Sequence, residues 1–120
     1  MKRIEIGVIN PKAEQQALME WAARVDAGEA VPEGISKLNF VSFRQLHATL
    51  TEKRMELLGR IAQQDGLNIR QLAQELGRNY RNVYDDVQML VELGLLEKRD
   101  GKLYAPYDEI VTRYSLRHAA

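Results

Sequence analysis

Between Asn68 and Leu95 the hydrophobic positions fall at helical spacing in two consecutive runs, and the rest of the chain is arranged on either side of them. In the first run Ile69, Leu72, Ala73 and Leu76 repeat at i, i+3, i+4 and i+7, the stripe of a half-buried helix. Asn68 stands ahead of it as an N-cap, with Gln71 three positions on, where its side chain reaches back to the cap amide. Gly77 supplies the left-handed conformation that ends a helix, so this one is expected to stop at Leu76. In the second run, starting near Asn79, the inner stripe is Val83, Val87, Leu90 and Leu93. Ala73, Gly77 and Val83 have the spacing of a small residue for close approach, a turn glycine and a branched plug between crossing helices. The pattern predicts a helix-turn-helix.

The positions that follow alternate instead. Leu95 to Ala105 reads as two short strands joined at Asp100-Gly101, a strong hairpin signal. Upstream, Thr51 caps a helix to Gln63 whose buried stripe is Leu57, Leu58 and Ile61, with Leu50 placed to staple onto Met55. A three-helix core and a β-hairpin wing predict a winged helix-turn-helix over residues 44–107, in an α+β fold.

Residues 1–43 predict a small strand-helix-strand extension. Ile4, Ile6 and Val8 alternate with Arg3, Glu5 and Gly7, and Asn10-Pro11 then opens a helix with Ala17, Leu18, Trp21, Ala22 and Val25 on one face, ending near Gly28. Glu29 to Ser36 is the linker candidate, and Leu38 and Phe40 share one side of a second strand from Lys37 to Ser42. Ser42 caps a short helix through Leu46, with Gln45 in the capping-box position. Residues 108–120 supply a last strand, in which Ile110, Thr112 and Tyr114 alternate, and a frayed tail from Arg117. That strand has two candidate partners, the segment Ile4 to Ile9 or the edge of another protein.

Two strands and one helix bury little area, so the front unit needs cover. Its own winged unit could provide it; a homodimer interface is the favoured alternative, because most winged-helix regulators present two recognition helices to a two-fold symmetric site.

Composition narrows the function. A chain of 120 residues fits one compact domain with an extension. It has no apolar run near eighteen residues and no signal-peptide pattern, which predicts a cytoplasmic protein away from membranes. Cysteine is absent, excluding disulfides, thiol catalysis and cysteine-ligated metals. The 17 basic residues balance 17 acidic ones, which counts against a DNA binder, since unspecific affinity comes from neutralising phosphates. Distribution reverses that: Arg70, Arg78, Arg81, Lys98, Arg99 and Lys102 fall in the helix-turn-helix and wing, whereas Glu14, Glu20, Asp26, Glu29 and Glu33 fall in the N-terminal third. His47 and His118 are far apart, and there is no glycine-rich phosphate loop or carboxylate cluster at ligand spacing. No catalytic residue, metal or cofactor is therefore expected.

At 100° per residue, the face opposite Val83, Val87 and Leu90 carries Arg81, Asp85 and Gln88, flanked by Asn82 and Tyr84. The Arg81 guanidinium matches guanine O6 and N7; Gln88 or Asn82 could pair with adenine, and Tyr84 could stack or donate to phosphate. Asp85 either accepts from cytosine or holds Arg81 in an i,i+4 ion pair, the second being favoured. Asp86, toward the buried edge, reads as structural. Arg78 and Asn79 at the helix start suit phosphates, and Arg99 and Lys102 flank the wing tip, where they reach a minor groove or backbone or stay as solvated charges. With Arg70 and Tyr80, the expected DNA-binding set is Arg70, Arg78, Asn79, Tyr80, Arg81, Asn82, Tyr84, Gln88, Arg99 and Lys102.

Leu57 to Tyr107 resembles the MarR-like winged helix-turn-helix regulators. More narrowly, LTEKRMELLGRI, IRQLAQELGRNYRNVYDDVQMLVELGLLEKRDGK and PYDEI resemble a family of small prokaryotic DNA-binding proteins encoded beside small toxins, whose antitoxins they are. The resemblance covers roughly the C-terminal two-thirds, and the run of Tyr80, Asn82, Val83, Asp86 and Val87 is more specific than the general helix-turn-helix spacing. The family often has proline after the capping threonine where this chain has Glu52, a change confined to a helix start; the N-terminal third matches in layout only. The resemblance implies a repressor that regulates its own operon. It also implies an alternative, an antitoxin that neutralises a cognate toxin by direct contact, with DNA binding secondary.

Overall fold

Short-range signals set most of the helices. A computed structural model describes residues 1–9, 19, 36–114 and 116; most of the helix expected over 11–28, the linker up to residue 35, with Glu14, Glu20, Asp26, Glu29 and Glu33, and the tail from Arg117 lie outside the described residues. Along the chain come β1 (Arg3–Val8), β2 (Ser36–Phe40), α1 (Phe43–Thr49), α2 (Glu52–Gln63), α3 (Ile69–Leu76), α4 (Tyr80–Glu92), β3 (Glu97–Arg99), β4 (Lys102–Tyr104) and β5 (Glu109–Arg113), an α+β arrangement. These fall into two compact units, one of Met1–Lys2 with Ala48–Glu109, the other of Arg3–His47 with Ile110–Ala120. The division falls inside α1 rather than before residue 44, and the C-terminal segment groups with the N-terminal unit instead of standing alone.

In the helical unit each helix begins on a side-chain cap. The Thr51 hydroxyl accepts from the Arg54 amide at 3.3 Å. Asn68 and Gln71 form the reciprocal box, with the Gln71 amide donating to Asn68 Oδ1 at 2.8 Å and the Asn68 amide to Gln71 Oε1 at 3.0 Å. Gly77 ends α3 at φ 63°, ψ 34°. Asn79 Oδ1 caps α4 by accepting from the Arg81 amide at 2.8 Å. Leu57, Leu58 and Ile61 of α2, Ile69, Leu72 and Ala73 of α3, and Val83, Val87 and Leu90 of α4 are buried together with Leu95 and Leu96. Leu93 is only half-buried and Met55 is exposed, so the expected staple at Met55 lies outside the core. Each such aliphatic side chain contributes about 1.5–3 kcal/mol on burial, which holds α2 against α3, α4 and β4.

The β3–β4 hairpin turns at Asp100 and Gly101, both with positive φ (53° and 76°), as a two-residue turn that matches strand twist requires. Leu103 is fully buried and forms an isolated bridge with Leu67: the Leu103 amide donates to the Leu67 carbonyl at 2.8 Å and the Gly66 amide to the Leu103 carbonyl at 2.8 Å. The hairpin is thus tied to the segment preceding α3, a link too short to leave a periodic trace in the sequence.

In the sheet unit β1 is central, in the order β2-β1-β5. β1 and β2 are parallel, with Ile6 opposite Leu38 and Val8 opposite Phe40, so these share one face. Lys2 bonds to Asp108 just before β1 and β5 begin, and the Arg113 carbonyl lies where a side chain at Gly7 would be, 3.0 Å from its Cβ position, near their ends; β5 therefore runs with β1 as well. Of its two candidate partners, β5 takes β1. Over the shared face sits α1, whose Phe43 and Leu46 surround a small cavity with Ile6, Val8, Thr112 and Tyr114. α1 runs past Leu46 to Thr49; the Ser42 hydroxyl accepts from the Gln45 amide at 3.1 Å, and Gln45 Oε1 accepts from the Val41 amide at 2.9 Å, one residue before the expected cap. With β5 and α1 added, the front unit is larger than the strand-helix-strand predicted. No helix among the described residues is long and apolar enough to cross a membrane.

Candidate functional site

The stripe Val83, Val87 and Leu90 fixes how α4 is rolled, and so which side chains it offers outward. Arg81, Asn82, Asp85 and Gln88 are exposed, Tyr84 is half-buried, and Tyr80 keeps half its surface. Arg81 Nε lies 3.5 Å from Asp85 Oδ1, with the two side chains 78% and 58% exposed. The guanidinium carbon of Arg81 is 5.7 Å from the Tyr84 ring centroid, and the Tyr80 and Tyr84 rings are 6.3 Å apart. A pair this exposed is worth about 0–1 kcal/mol, so Arg81 is preorganised along the helix face yet easily released to a better acceptor.

The inner edge of α4 is built differently. Asp86 Oδ1 accepts from Arg54 Nε at 3.0 Å and Asp86 Oδ2 from Arg78 Nη2 at 2.7 Å, with Arg54, Arg78 and Asp86 only 20%, 18% and 14% exposed. Burial by itself would raise the Asp86 pKa; hydrogen bonds and charge from Arg78 and Arg54 outweigh it and hold the carboxyl below the usual aspartate value. Arg54 Nη1 also donates to the Thr49 carbonyl at 2.8 Å and the Ala48 carbonyl at 3.4 Å, satisfying carbonyls at the end of α1. Asp86 therefore joins α2, the turn after α3 and α4. Arg54 was not foreseen as part of this group; its signal is its place three and four positions before the buried Leu57 and Leu58, which puts a cation on a helix's inner face.

Two expected phosphate ligands at the start of α4 have other work. Arg78 is turned onto Asp86, and its Nη1 is buried with no hydrogen-bond partner among the described residues, so this side chain does not project to solvent as expected. The reason is Asp86, eight residues on, a stronger and nearer anion than solvent provides. Asn79 uses its side-chain oxygen as the cap of α4, leaving only its amide NH₂ to donate outward. Arg70 is exposed at one side of an open groove of about 480 Å³, with Gln74, Gly77 and Tyr80 also lining it. On the hairpin, Arg99 sits 4.1 Å over the Tyr104 ring and 3.8 Å from Glu97, while Lys98 and Lys102 are exposed. Among the described residues no group of three His, Asp or Glu could hold a metal ion.

Arg81, Asn82 and Gln88 are thus exposed on α4, and Arg70 and Tyr80 line the groove beside α3, donors and an aromatic face suited to an anionic, hydrogen-bonding partner. A family model described as HVO_A0114 matches residues 49–112, more than half of the chain, and the chain belongs to that family. No curated protein matches it.

Proposed function

We propose that this chain is a winged helix-turn-helix DNA-binding protein that reads double-stranded operator DNA as a homodimer and represses transcription. In this reading α4 is the recognition helix, α3 crosses the backbone, and the β3–β4 hairpin is the wing. The observation that carries it is Arg81: an exposed guanidinium in the first turn of α4, held by a loose pair, with Asn82 and Gln88 beside it as further donors. Arginine in that place pairs with guanine, and asparagine or glutamine with adenine. Arg70, Lys98, Arg99 and Lys102 supply backbone contacts; Arg78, committed to Asp86, serves by holding the helices in place. The antitoxin reading rests on resemblance alone, and no contact among the described residues favours it.

Selection of bound duplexes from a random DNA library by the purified chain at near-physiological salt tests the proposal. A palindrome with half-sites ~10 base pairs apart, or a multiple, is the expected result. Recovery of no motif, with binding that vanishes as salt rises, would leave only unspecific phosphate attraction and overturn it.

A further inference from the structure

Among the described residues, the outermost strand of the sheet is complementary to itself. β5 reads Glu-Ile-Val-Thr-Arg from Glu109 to Arg113 and is the outer strand of the order β2-β1-β5. We propose that a second copy of this chain docks on that edge, its β5 antiparallel to the first about a two-fold axis at Val111. This rests on the homodimer reading above and names the surface it uses.

A two-fold interface needs a patch that fits its own copy. In this register Val111 faces itself, Ile110 faces Thr112 of the second copy, and Glu109 faces Arg113 of the second copy, each twice by symmetry. Opposite charges directly across a strand pair stabilise it, and like charges oppose it. Glu109 and Arg113 are both exposed. The Arg113 contact with Glu5, at 3.6 Å with the Arg113 side chain 68% exposed, leaves room for a second carboxylate.

The other edge lacks this property. β2 reads Ser-Lys-Leu-Asn-Phe, and the same operation about Leu38 sets Lys37 against Asn39 and Ser36 against Phe40, with no charge pair. Lysine on an edge strand is a common deterrent to such pairing.

Five residues of strand pairing fall short of the ~800 Å² per partner that a stable interface buries. Beside β5, Phe43 packs on Tyr114 with ring centroids 4.3 Å apart, and both rings remain nearly half exposed. Tyr114 stands three residues from the proposed axis, about 10 Å along the strand, within reach of the second copy's edge. Covering two such rings from each copy adds apolar area to the strand pairing.

Sedimentation velocity of the full chain over a concentration series tests this. Glu109→Arg puts two arginines on each β5 and Arg113→Glu two glutamates, so each variant alone sets like charge against like. Each should dimerise about tenfold more weakly than the natural chain. An equimolar mixture of the two should recover association, because the strand with two arginines then faces the strand with two glutamates. That recovery cannot come from the Glu5 contact, which is lost in Arg113→Glu whether mixed or not. Single variants that dimerise as tightly as the natural chain, or a mixture that stays monomeric, overturn the β5 surface while leaving a homodimer in place. A natural chain that is monomeric at every concentration overturns the homodimer reading and this surface together.

Discussion

Helix α4 carries two arginine–aspartate pairings that share residue types and little else. Along its inner edge Asp86 is held at 2.7 and 3.0 Å by Arg78 and Arg54, with no side chain of the three more than 20% exposed. On its outer face Asp85 and Arg81 meet at 3.5 Å in solvent. The inner group lies where water is scarce, so removing one member strands the others as unpaired charge. The outer pair exchanges freely with water, so either member can leave at little cost. Burial, not residue type, separates charges that hold this fold from charges free to engage a partner.

The largest expected effect breaks the inner group. Asp86→Ala should destabilise the helical unit by about 2–3 kcal/mol, somewhat below the 3–5 kcal/mol of a fully buried pair. It would be read as a lower urea midpoint at unchanged slope. An unchanged midpoint would place the inner group on the same footing as the outer one.

Acid titration sharpens the same point. The Asp86 pKa is depressed in the folded chain, so its contribution is fully present above the unfolded aspartate value, ~4, and is lost as pH falls through the lower folded value. The stability gap between the natural chain and Asp86→Asn should therefore stay constant above about pH 5 and close below ~4. A gap that persists in strong acid would mean that packing, rather than the carboxylate charge, is what the substitution removes.

On the outer face, Arg81→Ala should change stability by no more than about 0.5 kcal/mol, since it removes only an exposed pair. On the proposed reading it should cost ~1–3 kcal/mol of discrimination between operator and altered sites. A loss of folding stability with sequence preference intact would reverse the assignment of the two faces. The turn that joins them is tested by Gly77→Ala, which, at φ +63° with nothing within 4 Å of the added Cβ, should cost about 1 kcal/mol from backbone strain alone. Calorimetry of that variant measures how firmly the turn before Arg78 is set.

Much of the helical unit was legible because its signals are local. The Asn68–Gln71 box, the stop at Gly77 and the turn at Asp100-Gly101 lie where periodicity and capping place them. The outward placement of Arg81, Asn82 and Gln88 followed from the roll that Val83, Val87 and Leu90 impose. A helix start suits an anion whichever way its side chains turn, and the anion that Arg78 meets is Asp86 of the same chain. Leu93 and Met55 were expected to be more buried than they are, since helical spacing shows a face and not how far the neighbouring element covers it.

By itself, then, the sequence determined where α2, α3 and α4 begin, where α2 and α3 end, which turn joins β3 to β4, and which face of α4 is inner. Each of these depends on dihedral preferences or hydrogen bonds spanning a few residues. Only the tertiary structure decided that Arg54 reaches Asp86 across 32 positions, that Leu67 bridges Leu103, and that β5 lies along β1. Such contacts join segments whose separation carries no period, and they form where burial makes a charge or a backbone group take whatever partner the packed chain brings near.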